Sequence, residues 1–364
     1  MNTLASHRYQ RQVVLSEIGP EGQSKLAAAR ILCVGAGGLG CPALMYLAAA
    51  GVGHITIIDP DTVDLTNLQR QVLFTVEDCG QSKAIAAQKR LQQLNPDIEV
   101  EAIADWLTDK NAKDLFLRHD IIIDGTDNFE TKYLINDAAI KTSKPVVYGA
   151  IQGFEGQVSV WSTEHGPCYR CLYPTPPKAA IRNCAEAGVI GAVAGVIGTT
   201  QAMQCITLIV DHASFAPLIG KLWIIDMKTM DTQSLSITKK HDCLVCAQDK
   251  ADIKLTYNNP ECSTVQISQL DELPANGSYT LIDVREKTEW DNGHIKSAIL
   301  CPLSDIEAGK LPDLPVDTDL VLYCQKGVRS LKAAQIIATN GFVNIRSLRG
   351  GYEAWLTKAK KETC

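Results

Sequence analysis

The sequence predicts an α/β protein in two parts: a parallel sheet covered on both faces and extended by further strands, then a smaller α/β domain. Three observations carry this. Apolar runs of strand length alternate with helical segments from Arg30 onward, the pattern of a parallel sheet with crossover helices. At 364 residues the chain exceeds the usual size of one domain. The alternation then dissolves into the polar, aperiodic "AQDKADIKLTYNNP", and a second α/β pattern starts near Ser263. The expected division is residues 1–247, a linker at 248–261, and residues 262–364.

Taken in order, "RILCVGAGGLG" reads as a strand into a glycine-rich turn, "CPALMYLAAAG" as a helix and "HITIID" as a strand. "QSKAIAAQKRLQQLNP" is helical and stops at a proline, while "DIIIDGTDN" and "PVVYGA" are strands. "EGQVSVWS", "KLWIIDM" and "QSLSITK" are further strands that extend the sheet. The apolar stretch 187–210 is interrupted by Thr199, Thr200, Gln201 and Gln204, so no run of about 18 apolar residues remains. It reads as a buried Gly/Ala-rich helix. In the second domain "VQISQLDEL", "YTLIDVRE", "DLVLYC" and "NIRSL" are the strands.

The net charge of −6 argues against non-specific nucleic-acid binding, which needs a positive field. The polar start "MNTLASHRYQRQ" has no apolar core of a secretory signal. The expectation is a cytoplasmic protein with no nucleic-acid or membrane partner. In such a compartment thirteen cysteines suggest metal ligands, reactive thiols and buried core thiols, not a disulfide framework.

"GAGGLG" (35–40) follows a strand and opens a helix, and Asp59 ends the next strand. That is a Rossmann-like nucleotide fingerprint: glycines permit close backbone approach, a helix N-terminus attracts phosphate, and the acid binds ribose hydroxyls. An NAD-binding domain would look the same so far, and Gly38 could serve helix packing alone. "DPDTVDLTNLQRQ" then brings Asp59, Asp61, Asn67, Arg70 and Gln71 just beyond the strand, and "GQSKA" adds Lys83. Two cations at a phosphate site suit a triphosphate and a leaving pyrophosphate. "DGTDN" puts Asp124 and Asp127 at the carboxyl end of a strand, the edge where such sheets bind ligands. Asp127 either holds magnesium against phosphate oxygens or caps the helix beginning at Asn128. A dehydrogenase lacks any evident catalytic residue here.

As an ordered set, "RYQRQ" (8–12), "GAGGLGCP", "DPDTVDLTNLQRQ", "GQSKA", "DGTDN", "PCYRC" and "NCAEAGV" resemble the adenylyltransferases that activate ubiquitin-like sulfur-carrier proteins, relatives of ubiquitin-activating enzymes. The resemblance covers roughly residues 5 to 247. It implies that Gly38, Asp59, Asn67, Arg70 and Lys83 contact ATP and that Asp127 handles magnesium. It also implies a homodimer, in which Arg11 reaches the neighbouring subunit's nucleotide. The partner implied is a carrier ending in Gly-Gly whose C-terminal carboxylate is adenylated.

"CYRC" (Cys168, Cys171) and "CLVC" (Cys243, Cys246) are two C-x-x-C pairs, which together complete a closed, structural tetrahedral zinc site. A redox C-x-x-C is the alternative, and the resemblance agrees with zinc. Cys184 in "IRNCAEAGV" is close in sequence to Arg182 and to the start of the apolar helix, which would activate a thiol. The resemblance implies a covalent or thiol-exchange role for it in some members and none in others, so it stands as a candidate catalytic residue with dispensability as the alternative. Cys33, Cys41 and Cys205 read as buried small hydrophobes.

"LIDVREKTEWDNGHIKSAIL" (281–300), "YCQKGVRS" (323–330) and "LRGGYEAW" (348–355) resemble rhodanese domains, which carry sulfur as a cysteine persulfide. Backbone amides from Gln325 to Ser330 are expected to converge on Cys324 ahead of a helix, with positive charge from Lys326 and Arg329. Asp283, Arg285 and His294 read as bracing residues. An inactive docking module is the alternative. The expected chemistry is therefore adenylation of a carrier, with Arg70, Lys83 and Asp127 at the nucleotide. Persulfide transfer from Cys324 follows, with sulfur supplied by a donor such as a cysteine desulfurase or thiosulfate. Molybdopterin biosynthesis is the favoured pathway. Thiamine or tRNA-thiolation carriers, and a modifier activated for conjugation, are the alternatives.

Overall fold

The structure is a computed structural model and describes residues 7–161, 164, 166–176, 188–255, 265–268, 279–325, 327–340, 342, 344–348 and 350–361. The chain divides into two compact units, Met1–Tyr257 and Asn258–Cys364.

The first unit is built on an eight-stranded sheet. Its strands are β1 (Arg30–Val34), β2 (His54–Ile58), β3 (Glu99–Ile103), β4 (Ile121–Asp124), β5 (Val146–Gln152), β6 (Glu155–Trp161), β7 (Lys221–Asp226) and β8 (Asp231–Ser236). The order is β3-β2-β1-β4-β5-β6-β7-β8. Strands β1 to β5 pair in parallel and β6 to β8 add antiparallel, so the sheet is mixed, as the extra strands suggested.

Residue alternation explains why β1 is one unbroken apolar run. Successive side chains point to opposite faces: Ile31 and Cys33 enter one core cluster, Leu32 and Val34 the other. Burial on both faces is the condition of a parallel sheet with helices on either side. Each fully buried aliphatic side chain contributes about 1.5–3 kcal/mol. The helices are α1 (Gln10–Val13), α2 (Gly19–Ala28), α3 (Gly40–Ala50), α4 (Lys83–Leu94), α5 (Ala112–Leu117), α6 (Phe129–Thr142), α7 (Tyr169–Leu172) and α8 (Gly191–Val210).

Helix α8 is long and apolar enough to cross a membrane by length and composition, but it packs on β5, β6, α2 and α3. Its Gln201 is fully buried and donates to the carbonyls of Asp124 (2.8 Å) and Val147 (3.1 Å). It is a core helix that braces the sheet under the carboxyl end of β4. Residues 248–255, expected as linker, are docked in part on the first unit: Lys141 Nζ donates to the carbonyls of Lys250, Ala251 and Ile253, and Ile253 is buried beside the paired cysteines.

The second unit holds a five-stranded parallel sheet of β9 (Val265–Ser268), β10 (Thr280–Asp283), β11 (Ile299–Leu300), β12 (Leu320–Tyr323) and β13 (Ile345–Leu348), in the order β11-β10-β12-β13-β9. Helices α9 (Lys287–Asp291), α10 (Leu303–Glu307), α11 (Val328–Thr339) and α12 (Gly351–Lys361) accompany it. The central strand β12 is buried along its whole length and delivers Cys324 to the turn before α11.

Candidate active site

In the first unit, β1 and β4 are neighbours while the chain winds outward from them in opposite directions. The crevice beyond their carboxyl ends is the topological switch point, where open α/β sheets bind ligands. The glycine-rich turn forms one wall. A Cβ on Gly40 would lie 2.0 Å from the Gly35 carbonyl oxygen, so only glycine lets the turn close into α3. Across the crevice the backbone bonds Gly35 N–H to Ile58 O (2.9 Å) and Gly125 N–H to Val34 O (2.9 Å) tie the strand ends together.

Asp59 follows β2, is nearly inaccessible, and accepts from the amides of Ala36 (2.7 Å) and Asp61 (2.9 Å). Burial raises its carboxyl pKa, and the Lys83 charge opposes that shift. Lys83, at the first turn of α4, is itself buried and pairs with the exposed Asp61 at 2.8 Å. Asn67 ends a single 3-10 turn, Leu65–Asn67, its Oδ1 accepting from the Asp64 amide at 3.3 Å. Arg70 donates to Thr66 O (3.2 Å) and lies against the glycine turn, its Cδ 3.6 Å from where a Cβ on Gly38 would sit.

At the end of β4, Asp124 and Asp127 have different environments. Asp124 is buried, accepts from Thr126 N–H and Oγ1, and pairs with the buried Lys132 at 2.9 Å. Asp127 is exposed and makes no hydrogen bond or ion pair among the described residues. It does not cap the following helix: Asn128 does, its Oδ1 accepting from Thr131 N–H at 2.8 Å. The capping alternative is thereby corrected, because the cap position falls one residue later.

The structure therefore gathers Gly38, Asp59, Arg70 and Lys83 around one turn and puts Asp127 at the neighbouring strand end. Arg11 stands apart on α1, exposed, with no hydrogen bond or ion pair among the described residues. Cys184, with Arg182, lies outside the described residues. Lys132 is no candidate in the sequence, and Gln201 figures there only as a break in an apolar stretch, although Lys132 shares a helical face with Ile135, Asn136 and Ala139. A lysine on a buried stripe is itself a signal of a buried partner.

The four paired cysteines meet at the end of this unit. Sulfur separations are 3.8 Å for Cys168–Cys171, 3.6 Å for Cys168–Cys243 and 3.5 Å for Cys171–Cys246, and all four lie within 4.8 Å of one another. A tetrahedron with 2.3 Å metal–sulfur bonds has edges of ~3.8 Å, so the set fits one metal ion. Burial, then the neighbouring sulfurs, push the Cys168 thiol up, and burial drives Cys246 up to about 12; a cation at the centre would reverse this. Arg170 anchors the first pair through a two-point bond to Asp137 on α6 (2.8 and 2.7 Å).

In the second unit Cys324 is buried and its sulfur accepts from the Gly327 amide at 3.1 Å. Gly327 has φ +99°, a conformation glycine adopts freely. Of the converging amides expected, this is the one within hydrogen-bond distance among the described residues. Arg329 is held by Glu289, which takes both guanidinium arms at 2.6 and 2.7 Å, while its charge still interacts with Cys324; the expected positive charge is present but shared with a carboxylate. Lys326 lies outside the described residues. Arg285 is buried against Asp283 and reaches Gly293 O (2.8 Å) and Gln325 Oε1 (3.2 Å), while its guanidinium lies 4.2 Å from the Tyr352 ring centre. These contacts brace the cysteine loop. His294 is exposed and stacks on Trp290 at 3.7 Å.

A nucleotide crevice at the switch point, a four-cysteine knuckle and a buried thiol over a helix start define a nucleotide-activating enzyme joined to a sulfur-handling domain. The family models agree: the ThiF family matches residues 9–245 and the rhodanese-like domain residues 266–358. The chain belongs to the ThiF family and carries a C-terminal rhodanese-like domain. It is 41% identical to a probable adenylyltransferase/sulfurtransferase, MoeZ, of Mycobacterium tuberculosis, over 96% of this chain and 92% of that protein. It is 44% identical to the sulfur carrier protein adenylyltransferase of Thermus thermophilus, over 70% of this chain and 96% of that one. The crystal structure of Escherichia coli MccB with ATP has the same fold at 22% identity, with a TM-score of 0.59 over 66% of this chain and 75% of that one. The chain is an adenylyltransferase and sulfurtransferase.

Proposed function

We propose that this enzyme adenylates the C-terminal glycine of a ubiquitin-like sulfur carrier and converts it to a thiocarboxylate, in molybdopterin biosynthesis. A carboxylate is a poor electrophile because its leaving group would be oxide. Its oxygen attacks the α-phosphorus of ATP, pyrophosphate leaves, and the product is a mixed anhydride with AMP as leaving group. Positioning and charge neutralisation are the protein's task, assigned to Arg70, Lys83 and Asn67, with Asp59 on the ribose. Asp127 would hold magnesium, which neutralises phosphate charge when bound. Cys168, Cys171, Cys243 and Cys246 would hold zinc, which fastens the end of the first unit to its middle.

Cys324 carries the sulfur. The terminal sulfur of its persulfide attacks the acyl carbon, a C–S bond forms and AMP leaves, giving an acyl disulfide. A thiol, from Cys184 or an external reductant, then attacks the Cys324 sulfur of that bond and frees the thiocarboxylate. The observation that carries the reading is the Gly327 amide at the Cys324 sulfur, a donor suited to a thiolate or persulfide anion, in a chain that also presents Asp127, exposed and without a partner among the described residues, at a nucleotide crevice. Cytoplasmic action, a homodimer with Arg11 donated to the partner's site, and a desulfurase or thiosulfate as sulfur source belong to the same reading.

The test is intact-mass measurement of candidate carriers ending in Gly-Gly after incubation with the protein, ATP, magnesium and a sulfur donor. The expected result is exchange of one carrier oxygen for sulfur, in the molybdopterin carrier first. Thiolation only of a thiamine or tRNA-thiolation carrier would reassign the pathway. A carrier trapped as its adenylate, with no sulfur gained, would overturn the role of Cys324.

A further inference from the structure

Gln71 is buried to 3% exposure, yet neither heteroatom of its amide has a hydrogen-bond partner among the described residues. Its Oε1 is fully enclosed and unpaired. Its Nε2 faces the glycine-rich turn, 3.8 Å from where a Cβ on Gly37 would sit. Buried amides of this kind cost free energy when unmet and are hydrogen-bonded in the great majority of proteins. The main chain holds the residue in place, Gln71 N–H bonding to Asn67 O (3.0 Å) and Phe74 N–H to Gln71 O (3.1 Å). Its neighbour Arg70 lies against Gly38 of the same turn. The enclosed Oε1 is itself an acceptor that a phosphate oxygen cannot meet; it is Nε2, not enclosed and turned toward the start of α3, that can donate to a ligand in the crevice, where a helix N-terminus and a glycine turn favour phosphate.

We propose that Gln71 Nε2 is a phosphate-binding donor for ATP, acting beside Arg70 across the glycine turn. The inference rests on the nucleotide reading above and adds to it a neutral donor on a side chain with no hydrogen-bond partner among the described residues. A neutral amide offers direction without more positive charge, so it can hold a phosphate oxygen while Arg70 and Lys83 balance its charge.

The substitution Gln71→Met keeps the length of the side chain and removes the donor. Because it removes an unmet buried polar group, the nucleotide-free protein should melt at the same or a higher temperature. Its dissociation constant for magnesium–ATP, measured by calorimetry, should rise about tenfold or more, as expected for a lost bond to a charged group. Gln71→Glu places a carboxylate against the phosphates and should weaken binding further. Unchanged ATP affinity in Gln71→Met would overturn the proposal. So would a weaker affinity accompanied by a matching fall in the melting temperature of the nucleotide-free protein, since that is the signature of a structural residue. If the unaltered enzyme fails to bind ATP, the nucleotide reading itself falls and this assignment with it. If it binds ATP and Gln71→Met binds equally well, only the assignment falls.

Discussion

At the scale of single residues, chemistry is marked by side chains that the fold leaves unsatisfied. Asp124 and Asp127 are three apart, and the local sequence gives little reason to rank them. The structure does: Asp124 is held by Thr126 and Lys132, whereas Asp127 has no partner among the described residues. Asp127→Ala should therefore leave the melting temperature unchanged within about 1 °C, since an exposed, unpaired carboxylate contributes little to folding. ATP–pyrophosphate exchange should fall at least about a hundredfold, as for loss of a charge-stabilising group. Retained exchange would remove Asp127 from the site. Cys324→Ala should behave oppositely, with exchange intact and sulfur transfer to the carrier stopped; loss of both activities would contradict the division of labour. Arg329 marks the limit of residue-level reading. Its charge could be counted in the sequence, but its two-point bond to Glu289 spans forty positions and is a product of the fold.

At the scale of elements, legibility follows burial. Strands β1, β2, β4 and β5 are buried on both faces and stand out as apolar runs. Strand β3, "EVEAI", is the edge strand beside β2 among the described residues and alternates glutamate with apolar residues, so a search for unbroken apolar runs passes over it. Helix α6 hides for the converse reason: its buried face includes Thr131, Lys132, Asn136 and Asp137, and the last three draw partners from well beyond the helix, Lys132 from Gly149 O, Asn136 from Tyr169 N–H and Asp137 from Arg170. The four-cysteine knuckle was legible because two short spacings fix its chemistry, whatever the intervening chain does. It joins α7 to the turn holding Cys243 and Cys246, so zinc would act as a clip between distant parts of one unit. Cys246→Ser, which removes the least buried ligand, should bind less than one equivalent of zinc. It should also lower the melting temperature by about 5–10 °C, corresponding to about 2–3 kcal/mol for a unit of this size. A variant with a full equivalent of zinc and an unshifted transition would show that the clip is not there.

At the scale of the whole molecule, the question is whether one chain completes its own nucleotide site. The five residues gathered about the crevice come from β2, β4, the glycine turn, the 3-10 turn region and α4, all within one unit. Arg11 is the exception, exposed on the short helix α1 without a hydrogen-bond or ion-pair partner among the described residues. A motif match pointed to Arg11, but no property of one chain can say whose nucleotide it meets. Mixing answers this. Arg11→Ala and Asp127→Ala should each be inactive in pyrophosphate exchange. When the two are unfolded together and refolded in equal amounts, half of the dimers combine one of each. If Arg11 serves the partner's site, one site in each mixed dimer pairs an intact Asp127 with an intact Arg11, and about a quarter of the original activity should return. If Arg11 serves its own chain's site, every site in the mixture carries one substitution and nothing returns.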